Sequence, residues 1–140
     1  MKTPLRILHL EDDPNDTELL QAMLEKDGLP AELLRVDTED EFLAALGQGG
    51  FDLIISDYSL PSFDGLAALA LAREKRPALP IILFSGTIGE EVAVDCLRGG
   101  ATDYILKQRP ERLAAAVRRA LREFEDRRRR QQAEDTLRER

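Results

Sequence analysis

The sequence predicts an α/β domain built on a doubly wound parallel sheet with helices on both faces. Three observations predict it. Short aliphatic runs alternate five times with segments of helical periodicity. The middle runs, Leu53–Ile55 and Ile81–Phe84, are continuously apolar rather than alternating, as in strands covered on both faces. Helix start and stop signals fall between the runs, so each crossover carries its own helix and the strands are parallel.

Taken in order, the strands are expected at Leu5–Leu10, Leu33–Val36, Leu53–Ile55, Ile81–Phe84 and Tyr104–Leu106. Asp13-Pro14 reads as an N-cap followed by proline at the first helical position, with Leu19, Leu20, Met23 and Leu24 as the apolar face behind it. Thr38-x-x-Glu41 reads as a capping box with Phe42, Leu43 and Leu46 following, and Gly49-Gly50 ends that helix. Leu66 and Leu69 mark a third helix, stopped by Pro77. Thr87-x-x-Glu90 is a second candidate capping box, followed by Val92, Cys96 and Leu97 and stopped by Gly99-Gly100. Pro110 opens the last helix, with Leu113, Val117, Ala120 and Phe124 facing inward.

The chain has 140 residues, the size of one domain, and its 43% apolar content with only 5% aromatics predicts an aliphatic core. No apolar stretch approaches the roughly 20 residues of a membrane helix, and the first apolar run is cut short by Glu11-Asp12-Asp13, unlike a signal peptide. A single cysteine, Cys96, cannot form an internal disulfide, which fits a reducing cytoplasmic setting. Charge is uneven. Residues 1–107 carry 9 basic against 20 acidic side chains, a net −11, whereas residues 108–140 carry 11 against 7, a net +4. The acidic body would repel nucleic acid and anionic lipid, so no direct nucleic-acid contact and no membrane insertion are expected. The basic tail reads as a solvated helix.

A parallel sheet lines up the C-terminal ends of its strands along one edge, where ligands bind at the point of strand-order reversal. The residues just after the runs are Glu11 and Asp12, then Asp57 behind Ser56, then Ser85, then Lys107. Three carboxylates, a hydroxyl and an amine therefore converge. Clustered carboxylates need a cation, and a site with few carboxylates, a backbone carbonyl and waters suits Mg²⁺. Phosphoryl transfer asks for positioning and charge neutralisation, and aspartate is an established nucleophile for it.

Glu11-Asp12, Asp57-Tyr58-Ser59-Leu60-Pro61, Ser85-Gly86-Thr87 and Thr102 through Lys107 together resemble the receiver domain of two-component response regulators. The resemblance covers residues 5 to about 124. It implies a flavodoxin-like five-stranded sheet of order 2-1-3-4-5 with five helices, a receiver domain at residues 1–124, and a helical extension or linker at 125–140. It also implies roles. Asp57 matches the phosphoacceptor, Asp12 the direct metal ligand, and Glu11 a neighbour acting through water. The backbone carbonyl of Ser59 matches the third protein ligand of the metal, which also touches Asp57. Ser85 matches the switch hydroxyl, Tyr104 the switch aromatic, and Lys107 the lysine that pairs with the phosphate. Asp13 falls outside the acidic pair and reads as the helix cap. The family's usual proline after the lysine is absent: Gln108 stands there, and because a non-proline cis bond costs about 2.5–4 kcal/mol, a trans bond is expected. Gly86, where many relatives carry alanine, is a milder difference.

The function implied is a phosphoacceptor signalling switch rather than an enzyme, loaded by a histidine kinase or phosphotransfer protein in a phosphorelay and read by a protein partner or adjoining domain. The stretches Ser85 to Glu91 and Gly100 to Tyr104 most resemble receivers of hybrid sensor kinases and phytochrome-type systems. Two other readings are weighed. A Mg²⁺-dependent haloacid-dehalogenase-like phosphohydrolase also uses a strand-end aspartate, but it wants a second aspartate two residues on, where Ser59 stands, and a cap for which no length is spare. A nucleotide-binding domain of the same fold wants a neutral or glycine-rich first loop, not Glu-Asp-Asp, and Gly86-x-x-Gly89 lacks the Lys-Ser/Thr of a phosphate loop. His9 and Cys96 read as core residues. A homodimer through the last helix or the face between the fourth and fifth units is expected, although the apolar seam of the last helix turns polar at Arg127, Gln131, Glu134 and Arg138.

Overall fold

Five apolar runs become five parallel strands in a computed structural model that describes residues 4–61, 63–86 and 89–139. The strands are β1 (Leu5–Leu10), β2 (Ala31–Val36), β3 (Leu53–Ser56), β4 (Ile81–Ser85) and β5 (Asp103–Leu106). Between and after them run α1 (Pro14–Lys26), α2 (Glu39–Gln48), α3 (Gly65–Lys75), α4 (Glu90–Arg98) and α5 (Leu113–Arg138), the last preceded by a short 3₁₀ turn at Pro110–Arg112. Strand order is β2-β1-β3-β4-β5, as the resemblance implies. The order reverses between β1 and β3, which leaves the crevice of a doubly wound sheet directly above their ends.

Two cores form, one on each face. Leu20 and Leu24 of α1 and Leu113, Ala116, Val117, Ala120 and Leu121 of α5 pack on one side of the sheet. Phe42 and Leu46 of α2, Leu69 and Ala72 of α3, and Cys96 of α4 pack on the other. Every residue of β3 and β4 is buried, which accounts for their unbroken apolar runs. Each fully buried Leu, Ile or Val contributes about 1.5–3 kcal/mol.

The caps show why the helices begin where they do. Asp13 accepts from the Asn15 N–H at 2.9 Å and Pro14 follows at the first helical position. Thr38 accepts from the Glu41 N–H at 3.2 Å, while Glu41 reaches past the cap to the Asp37 N–H at 3.1 Å. Gly49 takes a φ of 71° and closes α2, a left-handed conformation that favours glycine.

Several expectations are corrected. The helix at 90–98 has Gly89 at its N-cap, and the expected Thr87-x-x-Glu90 box falls on Thr87, which lies outside the described residues. Apolar faces are narrower than the sequence periodicity suggests. Leu19 is 68% exposed, and Leu66 and Leu97 are exposed as well, because two neighbouring elements on one sheet face cover only part of each helix. Phe124 is half-buried rather than inward, beside Leu5 and Asp52 where β1 and β3 begin. Among the described residues, no helix is long and apolar enough to cross a membrane.

Candidate functional site

The register of the sheet sets the site. Leu10 pairs with Ser56, and Ser85 with Leu106, so the residues following β1, β3, β4 and β5 emerge at one edge. Asp57 is anchored there by its own N–H, which donates to the Leu10 carbonyl at 2.9 Å. Its side chain is 12% exposed and both of its carboxylate oxygens are engaged. Oδ1 accepts from Ser85 Oγ at 2.8 Å and from the Ser59 N–H at 3.2 Å, and Oδ2 accepts from Lys107 Nζ at 3.2 Å.

Lys107 is held by more than Asp57. An ammonium has three donors, and here each has a carboxylate: Glu11 Oε1 at 2.9 Å, Asp16 Oδ2 at 3.1 Å and Asp57 Oδ2 at 3.2 Å. Partial burial works to lower its pKa, but the hydrogen bonds to Glu11 and Asp16 and the charges of Asp57 and Glu11 outweigh burial and hold it well above the ordinary lysine range. Glu11 is almost wholly buried, and burial raises its carboxyl above the usual range against the opposing pull of Lys107 and of the Asp13 N–H, which donates to its Oε2 at 3.2 Å. Asp12, by contrast, is exposed.

Glu11, Asp12 and Asp57 each offer a carboxylate oxygen within 4.8 Å of the others. Three carboxylates, of Glu11, Asp16 and Asp57, share one ammonium and Asp12 adds a fourth negative charge beside two of them, an excess that a divalent cation would relieve. The donors are all hard oxygens, as Mg²⁺ prefers, and the exposure of Asp12 leaves room for the waters that this ion retains.

The structure thus brings together Glu11, Asp12, Asp57, Ser85 and Lys107. Ser59 lies beside Asp57 and supplies its N–H. Tyr104 lies on β5, half-buried against the core that α4 shares. Asp16 was not anticipated. Its place in the first turn of α1 has a sufficient explanation in the helix dipole, and only the fold shows that it points at Lys107.

His9 behaves as the core residue expected, 2% exposed, with Nδ1 and Thr17 Oγ1 2.9 Å apart. Burial, then the nearby Lys107 charge, lowers its pKa to about 4, with Asp16 and Asp57 opposing only in part. A histidine that protonates more readily when unfolded costs stability as pH falls from about 6.5 to about 4, by up to about 3 kcal/mol. Because the chain has one histidine, its Cε1 proton resonance reports the titration without ambiguity. The expected midpoint is about 4; a midpoint near 6.5 would contradict the burial account.

Residues 7–118 match the family described as the response regulator receiver domain. The chain is 35% identical over 102 residues to the response regulator protein FleR of Pseudomonas aeruginosa, covering 73% of this chain and 21% of that one. It is 32% identical over 116 residues to the transcriptional regulatory protein ZraR of Salmonella typhimurium, covering 82% and 26%. It therefore spans about a fifth to a quarter of the length of these relatives. Among solved structures, a CheY-like response regulator receiver domain protein of Methanospirillum hungatei superposes with a TM-score of 0.76 at 30% identity, over 89% of this chain and 98% of that one. None of this supports a haloacid-dehalogenase-like phosphohydrolase. Receiver domains of response regulators are signalling switches that bind Mg²⁺ at an acidic pocket and take their phosphoryl group from a histidine kinase or phosphotransfer partner, and by the match over residues 7–118 the chain belongs to the response regulator receiver domain family.

Proposed function

We propose that Asp57 is the phosphoacceptor of this switch. The observation that carries the reading is the pair of cationic and hydroxyl donors, Lys107 and Ser85, aimed at the two oxygens of one strand-end carboxylate beside an acidic pair. Asp12, Asp57 and the Ser59 carbonyl would hold Mg²⁺, with Glu11 acting through water. The ion would supply charge neutralisation to the incoming phosphoryl group. In the transfer, a carboxylate oxygen of Asp57 forms the new P–O bond while the bond from phosphorus to the donor's imidazole breaks, and the imidazole keeps the electron pair. Lys107 holds charge on the phosphoryl oxygens and Ser85 donates a hydrogen bond to one of them. Ser85 then re-seats and Tyr104 follows it, which alters the β4–α4 and β5 surface.

A histidine kinase or phosphotransfer protein supplies the group in this reading, and a protein partner or adjoining domain reads the result. Exposed Val94, Leu97 and Leu106 give the α4–β5 side apolar surface for such a contact, including a homodimer. The acidic body does not favour nucleic acid, although ZraR is a transcriptional regulatory protein by name. The test is incubation with acetyl phosphate and Mg²⁺ followed by intact mass measurement. Wild type is expected to gain one phosphate and Asp57→Asn none. Equal gain by both would assign the acceptor elsewhere, and no gain by wild type would defeat the reading.

A further inference from the structure

Lys107 has a partner to which the proposed transfer gives no task. Of the three carboxylates on its ammonium, Asp57 is the proposed acceptor, and Glu11 is proposed to reach the metal through water. Asp16 has neither role. Its Oδ2 accepts from Lys107 Nζ at 3.1 Å. The first turn of α1 fixes its place, with its N–H donating to the Asp13 carbonyl at 3.1 Å. It is also the most open of the three: the side chains of Glu11, Asp57 and Asp16 are 2%, 12% and 36% exposed. Asp16 therefore covers the ammonium from the solvent side, while Glu11 holds it from within. Oxygens of Asp16 and Asp57 lie 3.1 and 3.2 Å from one nitrogen, so at most roughly 6 Å separates the two charges, a short range for an interaction between unit charges.

We propose that Asp16 is a positioning residue that acts through Lys107 and sets the charge balance of the acceptor site, favouring the metal ion and opposing the phosphoryl group. The inference rests on Asp57 being the acceptor. Transfer turns the singly charged carboxylate of Asp57 into an acyl phosphate that carries more negative charge. Lys107 offsets that gain with the donor now on Asp57 Oδ2. The ammonium has three donors, and Glu11 and Asp16 keep the other two, so it can exchange one acceptor for another without leaving its place. The same bond from Asp16 draws on the ammonium's charge, and the field of its own carboxylate reaches the acceptor. At this range one unit charge in a half-exposed site changes an equilibrium by about threefold or more. A divalent cation feels that field with the opposite sign to a phosphoryl group. The other role open to a first-turn aspartate is to favour α1 through the helix dipole alone. That role moves the stability of the helix and leaves both ligands unaffected.

Asp16→Asn keeps an oxygen for Lys107 and removes the charge, whereas Asp16→Glu keeps the charge on a longer side chain. Isothermal titration of the full chain reads both ligands, and thermal unfolding confirms that the variants are folded. Asp16→Asn is expected to bind Mg²⁺ at least about threefold more weakly than wild type. At saturating Mg²⁺ it is expected to bind beryllofluoride, a phosphoryl mimic, at least about threefold more tightly. Asp16→Glu should stay within about twofold of wild type for both. Opposite movement of the two affinities is the signature, since a site that has merely loosened loses both. Weaker binding of both ligands by Asp16→Asn, or either affinity within about twofold of wild type, would overturn the proposal. Asp16→Glu behaving as Asp16→Asn would overturn it too, by tracing the effect to the shape of the hydrogen bond rather than to charge. Failure of wild type to take up phosphate on Asp57 would instead defeat the underlying reading, and that result is seen before any variant is made.

Discussion

Lys107→Met is expected to destabilise the metal-free protein by about 3–5 kcal/mol, the usual cost of removing one partner from a buried ion pair. Glu11 is the reason. Its side chain is 2% exposed and its nearest cation is Lys107. Without the ammonium, Glu11 must either remain charged and unpaired or bind a proton. Its pKa already lies above the usual range through burial, and losing Lys107 raises it further. The sign of the pH effect follows. A carboxyl whose folded pKa is raised binds more protons folded than unfolded, so stability falls as pH rises from the unfolded value, about 4.5, up to the folded one. The deficit of the variant should therefore be small in acid and grow toward neutrality. Saturating Mg²⁺ should restore part of it, because the ion neutralises the same cluster. Urea melts at several pH values, with and without Mg²⁺, check all three statements. A deficit that is flat with pH would show that lost packing, not the unpaired Glu11, is the cause.

Gly65→Ala should be the most damaging change that adds only a methyl group. A Cβ on Gly65 would stand 2.8 Å from Tyr58 Cα and 3.2 Å from the Tyr58 carbonyl oxygen, backbone atoms that cannot rotate away. The Gly65 N–H also donates to that carbonyl at 2.9 Å. Relief must come from moving the loop that links Asp57 to α3, and overpacking of this kind costs about 1–3 kcal/mol. The displaced residues are Tyr58 and Ser59, one of which is proposed to supply the third protein ligand of the metal. Mg²⁺ affinity is expected to fall at least about tenfold, equivalent to about 1.4 kcal/mol. Gly47→Ala is the matched control. It lies inside α2 with nothing within 4 Å of the added carbon, and should stabilise the protein by about 0.5–1 kcal/mol. Isothermal titration and thermal melts on both variants separate the two outcomes. Unchanged Mg²⁺ binding by Gly65→Ala would detach this loop from the metal site.

These residues also show what a sequence can and cannot disclose. Strand-end positions are legible because apolar runs are local and the topology of a doubly wound sheet then fixes which ends meet. Glu11, Asp12, Asp57, Ser85 and Lys107 were all found that way. Asp16 was not, because a first-turn aspartate has a local explanation that hides its long-range one, 91 residues away. Gly65 was missed for a similar reason: its close approach to Tyr58 is a matter of tertiary distance, and an Asp-Gly pair opening a helix draws no notice. Gln108 was visible only as a missing proline. Nothing in the chain before it indicates that its side chain reaches the Gly86 carbonyl. Helix faces were overdrawn, as at Leu19 and Leu66, since periodicity shows which residues could be covered but not how much cover the neighbours provide.

The long last helix gives the fold a further property. Beyond Leu121, its last buried residue, and the half-buried Phe124, it continues to Arg138 with every side chain exposed, about 21 Å of helix at 1.5 Å per residue. That stretch is stiffened by ion pairs at Glu125–Arg129 and Glu134–Arg138. It works as a lever with its fulcrum at Phe124. A tilt of about 10° at that point, too small to disturb the core, carries the tip sideways by about 4 Å over such a length. Arg119 ties α5 to Asp103, the first residue of β5, four residues from Lys107. A sub-ångström adjustment beside the proposed acceptor thus has a mechanical route to a displacement, at the far end of the arm, large enough for another molecule to detect.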